Sequence, residues 1–110
     1  MAWLVRDDGE VLATLEVAES SKARARGLLG RDGFDGAILL QPAKSVHTLG
    51  MRFPIDVAFV DKNMVVLRIV TMKRWRLGRP VFNAHGVIEA AAGAFGHWNL
   101  KVGDQLDVKG

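Results

Sequence analysis

Most of the side chains in this sequence that could bind or react lie in one stretch, residues 45–61, which reads SVHTLGMRFPIDVAFVD. His47 carries the side chain best suited to proton transfer near neutral pH. Asp56 is an acid between two apolar residues, Ile55 and Val57, and a buried unpaired acid would need donors or a raised pKa. The stretch therefore suggests either an acid–base pair formed by His47 and Asp56 or a ligand-binding surface.

The histidines and carboxylates of the whole chain form no recognisable metal motif. His47, His85 and His97 are far apart, and no two of them have the i, i+4 spacing that places ligands on one helix face. A metal site would need them to converge with a carboxylate such as Asp56 or Glu89. The chain has no cysteine, which excludes disulfides, thiolate catalysis and cysteine-ligated metals. We therefore expect neither a metal nor another cofactor.

The basic segment 73–79, KRWRLGR, is a second candidate site. Its four positive side chains could contact phosphates while the indole of Trp75 stacks on a base. Acidic segments elsewhere dilute this field, and the net charge of the chain is only +3. The segment predicts at most weak nucleic-acid binding, which stays open as an alternative function.

We interpret the chain as a non-enzymatic binding or accessory module for a small molecule or peptide. Met51, Phe53, Trp75 and Trp98 could line a pocket, although the same residues would also fill a core. An enzyme that uses Asp56 and His47 as acid and base remains the second hypothesis. The candidate ligand-binding residues are His47, Thr48, Met51, Arg52 and Asp56, joined by Arg26 and Arg76.

Length and composition predict one ordinary globular domain. The chain has 110 residues, 49% of them hydrophobic and 25% charged, which suits a single core. The N-terminus has only a short apolar stretch, so we expect a soluble chain without a membrane span. It would be cytoplasmic if Met1 is the natural start and exported if a signal peptide has been removed. The sequence does not determine the oligomeric state.

Turn and strand patterns predict a fold built mainly from β-strands. In residues 3–17, Asp8-Gly9 predicts a two-residue hairpin loop that places Leu4, Val11, Ala13, Leu15 and Val17 on one core face. A helix is expected over residues 21–29, since Ser20 or Ser21 can cap its start and Gly30 can end it. AILLQ, residues 37–41, reads as a central strand that is covered on both faces.

A second hairpin is predicted from Ile55–Val60 and Val65–Thr71. A two-residue loop would place Asp56 opposite Ile69 on an apolar face. A three-residue loop, 61–63, would place it opposite Arg68 on the other face, and a one-residue slip exchanges the two. We predict the three-residue loop, with Asp56 paired with Arg68 or with backbone donors near His47, because it leaves no orphan charge.

The C-terminal half is expected to complete the sheet. Residues 73–83 read as an exposed connection, AHGVIEA as a strand and residues 91–100 as one helical turn or a compact loop. A turn at Gly103-Asp104 precedes a last strand with Leu106 and Val108 pointing inward. The predicted fold is a compact β-sandwich or partly open barrel with one or two short helices.

Three segments together carry a family resemblance. ARGLLGR at 25–31, VHTLGMRFPIDVAFVD at 46–61 and GVIEAAAGAFGHWNLKVGDQL at 86–106 resemble the successive blocks of the domain of unknown function 192 family. The resemblance implies a compact β-rich domain over residues 1–110 and no established biochemical role. It also implies recurring positions at Arg26, Gly27, Leu28, Thr48, Met51, Pro54, Asp56, Phe59, Asp61, Gly93, Gly103 and Asp104. His47 stands where many relatives carry asparagine, so the resemblance implies no histidine-dependent mechanism.

Overall fold

Seven strands and two short helices account for the regular structure of the chain. The computed structural model describes all residues, 1–110. In chain order the elements are β1 (Ala2–Arg6), β2 (Val11–Ala18), α1 (Ser21–Arg26), β3 (Ala37–Leu40), β4 (Ile55–Val60), β5 (Val66–Met72), β6 (Gly86–Ala91), α2 (Ala94–His97) and β7 (Leu106–Lys109). The helices have six and four residues, so neither is long enough to cross a membrane.

The strands form one sheet in the order β5-β4-β6-β3-β2-β1-β7. All neighbours are antiparallel except β2 and β3, which run parallel. The sheet curls until its two edges meet at one end, where Val65 pairs with Gln105 and the Leu106 N–H donates to the Met64 carbonyl at 3.0 Å. The mainly β fold is confirmed, and the partly open barrel describes it better than a sandwich because there is only one sheet.

Each face of this sheet carries its own core. The concave core includes Val66 from one edge strand and Leu106 from the other, and Phe95 of α2 packs into it. The convex core is covered by Leu28, which follows α1, and by Met51 from the loop between β3 and β4. The central strands β3, β4 and β6 are therefore buried on both sides, as predicted for residues 37–41.

The first hairpin forms where it was predicted, but its loop and one of its faces differ from the prediction. Leu4 lies opposite Ala13, as predicted, whereas Val5 lies opposite Val11 and the Arg6 N–H donates to the Glu10 carbonyl at 2.8 Å, so the loop spans residues 7–9 and not Asp8-Gly9 alone. A bulge between Leu4 and Val5 then shifts the register, so that Leu12 packs against the concave core and Val11 is 58% exposed. Val17 was also predicted to be buried, but it is 40% exposed and lies outside both cores.

The second hairpin has neither of the two predicted registers. Asp56 lies opposite Thr71, and Arg68 lies opposite Phe59, so the predicted Asp56–Arg68 pair is wrong. Asp61 explains why the loop is longer than predicted. Its Oδ1 atom accepts from the Asn63 N–H at 2.8 Å and from the Val65 N–H at 3.0 Å. Residue 65 also pairs across the barrel seam instead of with β4.

Helix α1 ends three residues earlier than predicted. The Ser20 hydroxyl accepts from the Ala23 N–H at 3.1 Å and caps its start, as expected. Gly27, with φ of 47°, ends the helix and donates its N–H to the Ala23 carbonyl at 2.9 Å. The chain turns towards the sheet at this glycine and buries Leu28.

The C-terminal predictions are mostly confirmed. Strand β6 and the helical turn α2 form where they were expected, and residues 73–77 are exposed. Leu106 is buried, but Val108 is 37% exposed and does not point into the core as predicted. It lies on the edge strand β7, which has a neighbouring strand on only one side along this length.

Candidate functional site

A cleft opens on the convex face of the sheet between α1 and the loop of residues 43–51. Its volume is about 310 Å³. Helix α1 and the turn after it form one wall, and the loop forms the other. Leu40 of β3 and Glu89 of β6 form part of its lining from the sheet. We refer to it below as the Glu89 cleft.

Glu89 is an acid at the centre of an apolar face. Its cross-strand neighbours are Ile38 on β3 and Val57 on β4, and only 5% of its surface is exposed. Neither neighbour can donate a hydrogen bond from its side chain or balance a charge. Burial raises the pKa of the Glu89 carboxyl to about 7, because the ionised form is poorly solvated there.

The carboxyl of Glu89 has no hydrogen-bond donor within the chain. No fully enclosed side-chain oxygen or nitrogen in the protein lacks a partner, and the side-chain hydrogen bonds of the chain do not include Glu89. Its oxygens must therefore reach the open space of the cleft. A buried acid that faces a cleft without a partner is able to receive a donor from outside.

Gly27 lets the end of α1 approach the Glu89 carboxyl. A Cβ atom at position 27 would lie 3.3 Å from the Glu89 Oε1 atom and 3.6 Å from the Leu40 Cδ2 atom. The positive φ at this residue also disfavours any side chain. The glycine thus sets both the end of the helix and the width of the cleft next to the acid.

Basic side chains line the same cleft. Arg24 and Arg26 come from α1, and His47 comes from the facing loop. The Arg24 guanidinium donates to the carbonyl of Glu19, and the His47 Nδ1 atom accepts from the Leu49 N–H at 3.3 Å. None of the three lies in an ion pair with Glu89, whose pKa responds only to burial. The cleft therefore combines one buried acid with three basic side chains, each of which is more exposed than the acid.

The structure brings three of the predicted binding residues to this cleft. Arg26, His47 and Met51 all contribute to its lining. Met51 is buried and belongs to the convex core as well, whereas Arg26 and His47 are exposed. Their role in binding stays a prediction, because their position alone does not identify a ligand.

Thr48 is fully buried and holds two segments together. Its hydroxyl donates to the Lys73 carbonyl at 2.6 Å and accepts from the Arg76 N–H at 2.8 Å. Its backbone N–H donates to the Arg76 carbonyl at 2.8 Å, and its carbonyl accepts from the Trp75 N–H at 2.9 Å. These bonds hold Trp75 at a φ of 61° with its side chain 61% exposed. Thr48 therefore positions the basic segment.

Asp56 lies on the concave face, away from His47. It accepts from the Thr71 hydroxyl at 2.7 Å, from the Gly93 N–H at 2.9 Å and from the Phe95 N–H at 3.1 Å. The backbone donors that we expected near His47 come instead from the first turn of α2. The structure thus separates Asp56 from His47, and the two residues do not form an acid–base pair.

The other two predicted residues lie elsewhere on the surface. Arg52 donates to Asp32 at 2.8 Å, and both side chains are mostly exposed. Arg76 lines a separate groove of about 500 Å³ together with Arg68, Lys73 and Arg79. This groove belongs to the basic segment and does not include Glu89.

The family of the chain follows from its sequence profile. The profile of the DUF192 family, described as "Uncharacterized ACR", matches residues 3–108. The chain belongs to the domain of unknown function 192 (DUF192) family. The resemblance carried by the three sequence blocks is thereby confirmed.

Relatives and solved structures agree with this assignment. A UPF0127 protein of Pyrococcus furiosus is 30% identical over 103 residues, which cover 89% of this chain and 89% of the relative. A UPF0127 protein of Pyrococcus horikoshii is 30% identical over 104 residues, which cover 90% of this chain and 87% of that protein.

Two crystal structures are similar to the DUF192 fold described above. A protein of unknown function from Novosphingobium aromaticivorans has a TM-score of 0.81 and 20% identity, with 96% of this chain and 82% of the other covered. A candidate transcription regulator from Sinorhizobium meliloti has a TM-score of 0.83 and 19% identity, with coverages of 97% and 91%. At this level of identity the likeness shows the fold alone.

Several positions that the DUF192 resemblance singled out have structural roles in this chain. Gly27 ends α1, Thr48 holds the basic segment, and Gly93 donates to Asp56. Asp104 accepts from Arg6 at 2.5 Å and from the Lys101 N–H at 2.8 Å, which joins the last turn to β1. Of these residues only Gly27 lines the Glu89 cleft, and the others stabilise other parts of the fold.

From the sequence, Glu89 was expected only as a possible metal ligand. No group of three or more histidine, aspartate and glutamate side chains lies close enough to hold a metal ion. The available signal was an acid inside the apolar strand GVIEA. An acid in a strand covered on both faces must be buried, and this one has no donor.

Proposed function

We propose that this DUF192 protein is a binding module that holds a small molecule or the end of a peptide in the Glu89 cleft. The observation that carries the proposal is a buried carboxyl that has no donor in the chain and faces an open cleft. Burying a polar group without a partner costs free energy. A ligand that supplies the missing donor would recover part of that cost.

Asp56 provides an internal comparison for this proposal. It is buried to nearly the same extent as Glu89 and accepts three hydrogen bonds from the chain. The same sheet can therefore satisfy an acid fully when the role of the acid is structural. The lack of donors at Glu89 supports a role that requires an open position.

The size and lining of the cleft also suit a small ligand. A volume of about 310 Å³ lies at the lower end of the range for ligand pockets. Leu28, Leu40, Val46 and Met51 provide apolar contact area, and the few polar groups would orient the ligand. Binding is favoured over catalysis because no hydrogen-bonded nucleophile–base pair lies in the cleft.

A fragment screen by protein NMR tests the proposal. Small fragments that fit the cleft should shift the backbone amides of Gly27, Leu28 and Leu49 in the full-length protein. The Glu89→Gln variant should lose most of this binding. Asp7→Asn is the matched control, because Asp7 is an exposed acid in the turn between β1 and β2 and does not line the cleft, so this variant should bind as the wild type does. Fragments that bind only elsewhere, or that bind equally well to Glu89→Gln, would overturn the proposal.

A further inference from the structure

We infer that the Glu89 cleft selects ligands that present a cationic nitrogen, a primary ammonium above all, to the Glu89 carboxyl. This inference rests on the proposed binding function and adds to it the chemical class of the ligand. The geometry behind it is an acid at the centre of an apolar face, open only towards the cleft.

Glu89 needs both hydrogen-bond donors and a compensating charge. Its sheet neighbours Ile38, Val57 and Leu40 provide neither. An ammonium group has three donors and one positive charge, so it would satisfy the carboxylate oxygens and neutralise the pair at once. A neutral ligand would supply donors without the charge, and an anionic group would be repelled by the ionised acid.

No cation of the chain is paired with the Glu89 carboxyl in the structure. The charged or titratable groups that line the cleft are Arg24 and Arg26 on α1 and His47 on the facing loop. The strands beneath contribute only apolar side chains next to Glu89. Neither arginine forms an ion pair with Glu89, and the Arg24 guanidinium bonds instead to the Glu19 carbonyl. The position next to the carboxyl is therefore left for a charge that the ligand brings.

The two arginines restrict the other end of the ligand. Arg24 and Arg26 make the rest of the cleft lining positive, so a second cation on the ligand would be repelled. A ligand with an ammonium at one end and a neutral or anionic group at the other fits this arrangement. Amino-acid-like zwitterions and the amino terminus of a peptide share this chemistry.

Binding of such a ligand should release a proton near neutral pH. Burial raises the pKa of Glu89 to about 7 in the free protein, so at pH 6 most molecules hold the proton. An ammonium binds the ionised form and displaces that proton. Because the observed affinity follows the ionised fraction, it should rise about tenfold between pH 6 and pH 8.

Three four-carbon probes test the inference on the full-length chain: n-butylammonium, n-butanol and butyrate. Titrations are followed by the amide signals of Gly27 and Leu28 and by the side-chain carboxyl ¹³C signal of Glu89. We expect n-butylammonium to bind best and about ten times more tightly at pH 8 than at pH 6. It should also lower the pKa observed at the Glu89 carbon. 1,4-Diaminobutane, with a second cation, should bind less tightly than 4-aminobutyrate.

Two variants test whether the preference for n-butylammonium and its pH dependence come from Glu89. Glu89→Gln should abolish the preference for n-butylammonium over n-butanol, while His47→Asn should keep the pH dependence because the proton belongs to Glu89. If Glu89→Gln does not fold, the comparison of the three probes on the wild-type protein still decides the question.

The failure of this inference differs from the failure of the proposed function. If n-butanol or butyrate binds more tightly than n-butylammonium, as measured at the cleft amides, the inference of a cationic ligand is overturned. The proposal that the cleft binds ligands would still stand. No shift of the cleft amides with any probe would overturn both. Binding of n-butylammonium without a change at the Glu89 carbon would also overturn the inference, since the amine would then be held by another group.

Discussion

Asp56 and Glu89 are buried acids on adjacent strands, one residue out of register, and their carboxyls point to opposite faces of the sheet. Asp56 pairs with Ala90, and Glu89 pairs with Val57. On the concave face Asp56 has three donors, whereas on the convex face Glu89 has none. Alternation along the strands thus separates a structural acid from one that is open to a ligand.

The pH dependence of stability should report the environment of Glu89. Its pKa is about 7 in the folded protein against a reference value of 4.5, so the folded state binds more protons between these values. The free energy of unfolding should therefore fall as pH rises through this window and level off above it. The shift corresponds to about 3 kcal/mol.

Glu89→Gln removes this titration and makes the prediction measurable. Relative to the wild type, the variant should gain about 3 kcal/mol in unfolding free energy between pH 4 and pH 8. Chemical denaturation at both pH values measures the difference, and Asp7→Asn serves as the control. An unchanged difference between variant and wild type would show that Glu89 titrates normally.

Asp56 should couple energetically to Thr71 and not to Arg68. The Thr71 hydroxyl donates to Asp56 at 2.7 Å, while Arg68 lies opposite Phe59. A double-mutant cycle with Asp56→Asn and Thr71→Val should give a coupling of about 0.5 kcal/mol or more. The matched cycle with Asp56→Asn and Arg68→Gln should be additive. A coupling found only in the cycle with Arg68 would contradict the pairing of Asp56 with Thr71.

Gly27→Ala should damage the cleft more than Gly30→Ala. Both glycines have positive φ values, 47° and 86°, so both variants lose backbone stability, of the order of 1–3 kcal/mol each. Only at Gly27 would the new Cβ meet the Glu89 Oε1 atom, at 3.3 Å, because nothing lies within 4 Å at Gly30. The Glu89 carboxyl ¹³C titration should change in Gly27→Ala alone. An equal change in both variants would assign the effect to backbone strain.

The basic segment should show no tight binding to nucleic acid. Arg74 and Arg76 lie beside the exposed Trp75, but charged residues on an exposed connection usually remain solvated. We expect single-stranded oligonucleotides to bind no more tightly than the non-specific range of about 10⁻⁴–10⁻⁶ M at physiological salt. Fluorescence anisotropy of the wild type and of an Arg74→Gln, Arg76→Gln double variant measures this. Tighter binding that the double variant loses would establish a nucleic-acid site.

Local patterns in the sequence determined much of the secondary structure. Asp8-Gly9 placed the first hairpin correctly, because these residue types favour the turns that join adjacent strands, although the loop itself spans residues 7–9. The apolar run at residues 37–40 predicted a strand buried on both faces. Ser20 marked the start of α1 through a hydrogen bond between residues only three positions apart. In each case the interacting residues are close together in the chain.

Tertiary structure determined the register of the second hairpin and the surroundings of the two buried acids. The barrel seam draws Val65 towards Gln105, which lies 40 residues later, and no local pattern contains that pairing. Strand β4 is buried on both sides, so its sequence offers no polar face from which to choose a register. The donors of Asp56 come from Gly93 and Phe95, and the cleft around Glu89 is built by α1, the 43–51 loop and two other strands. Whether a buried acid is satisfied or left open depends on groups distant in sequence, and only the folded chain brings them together.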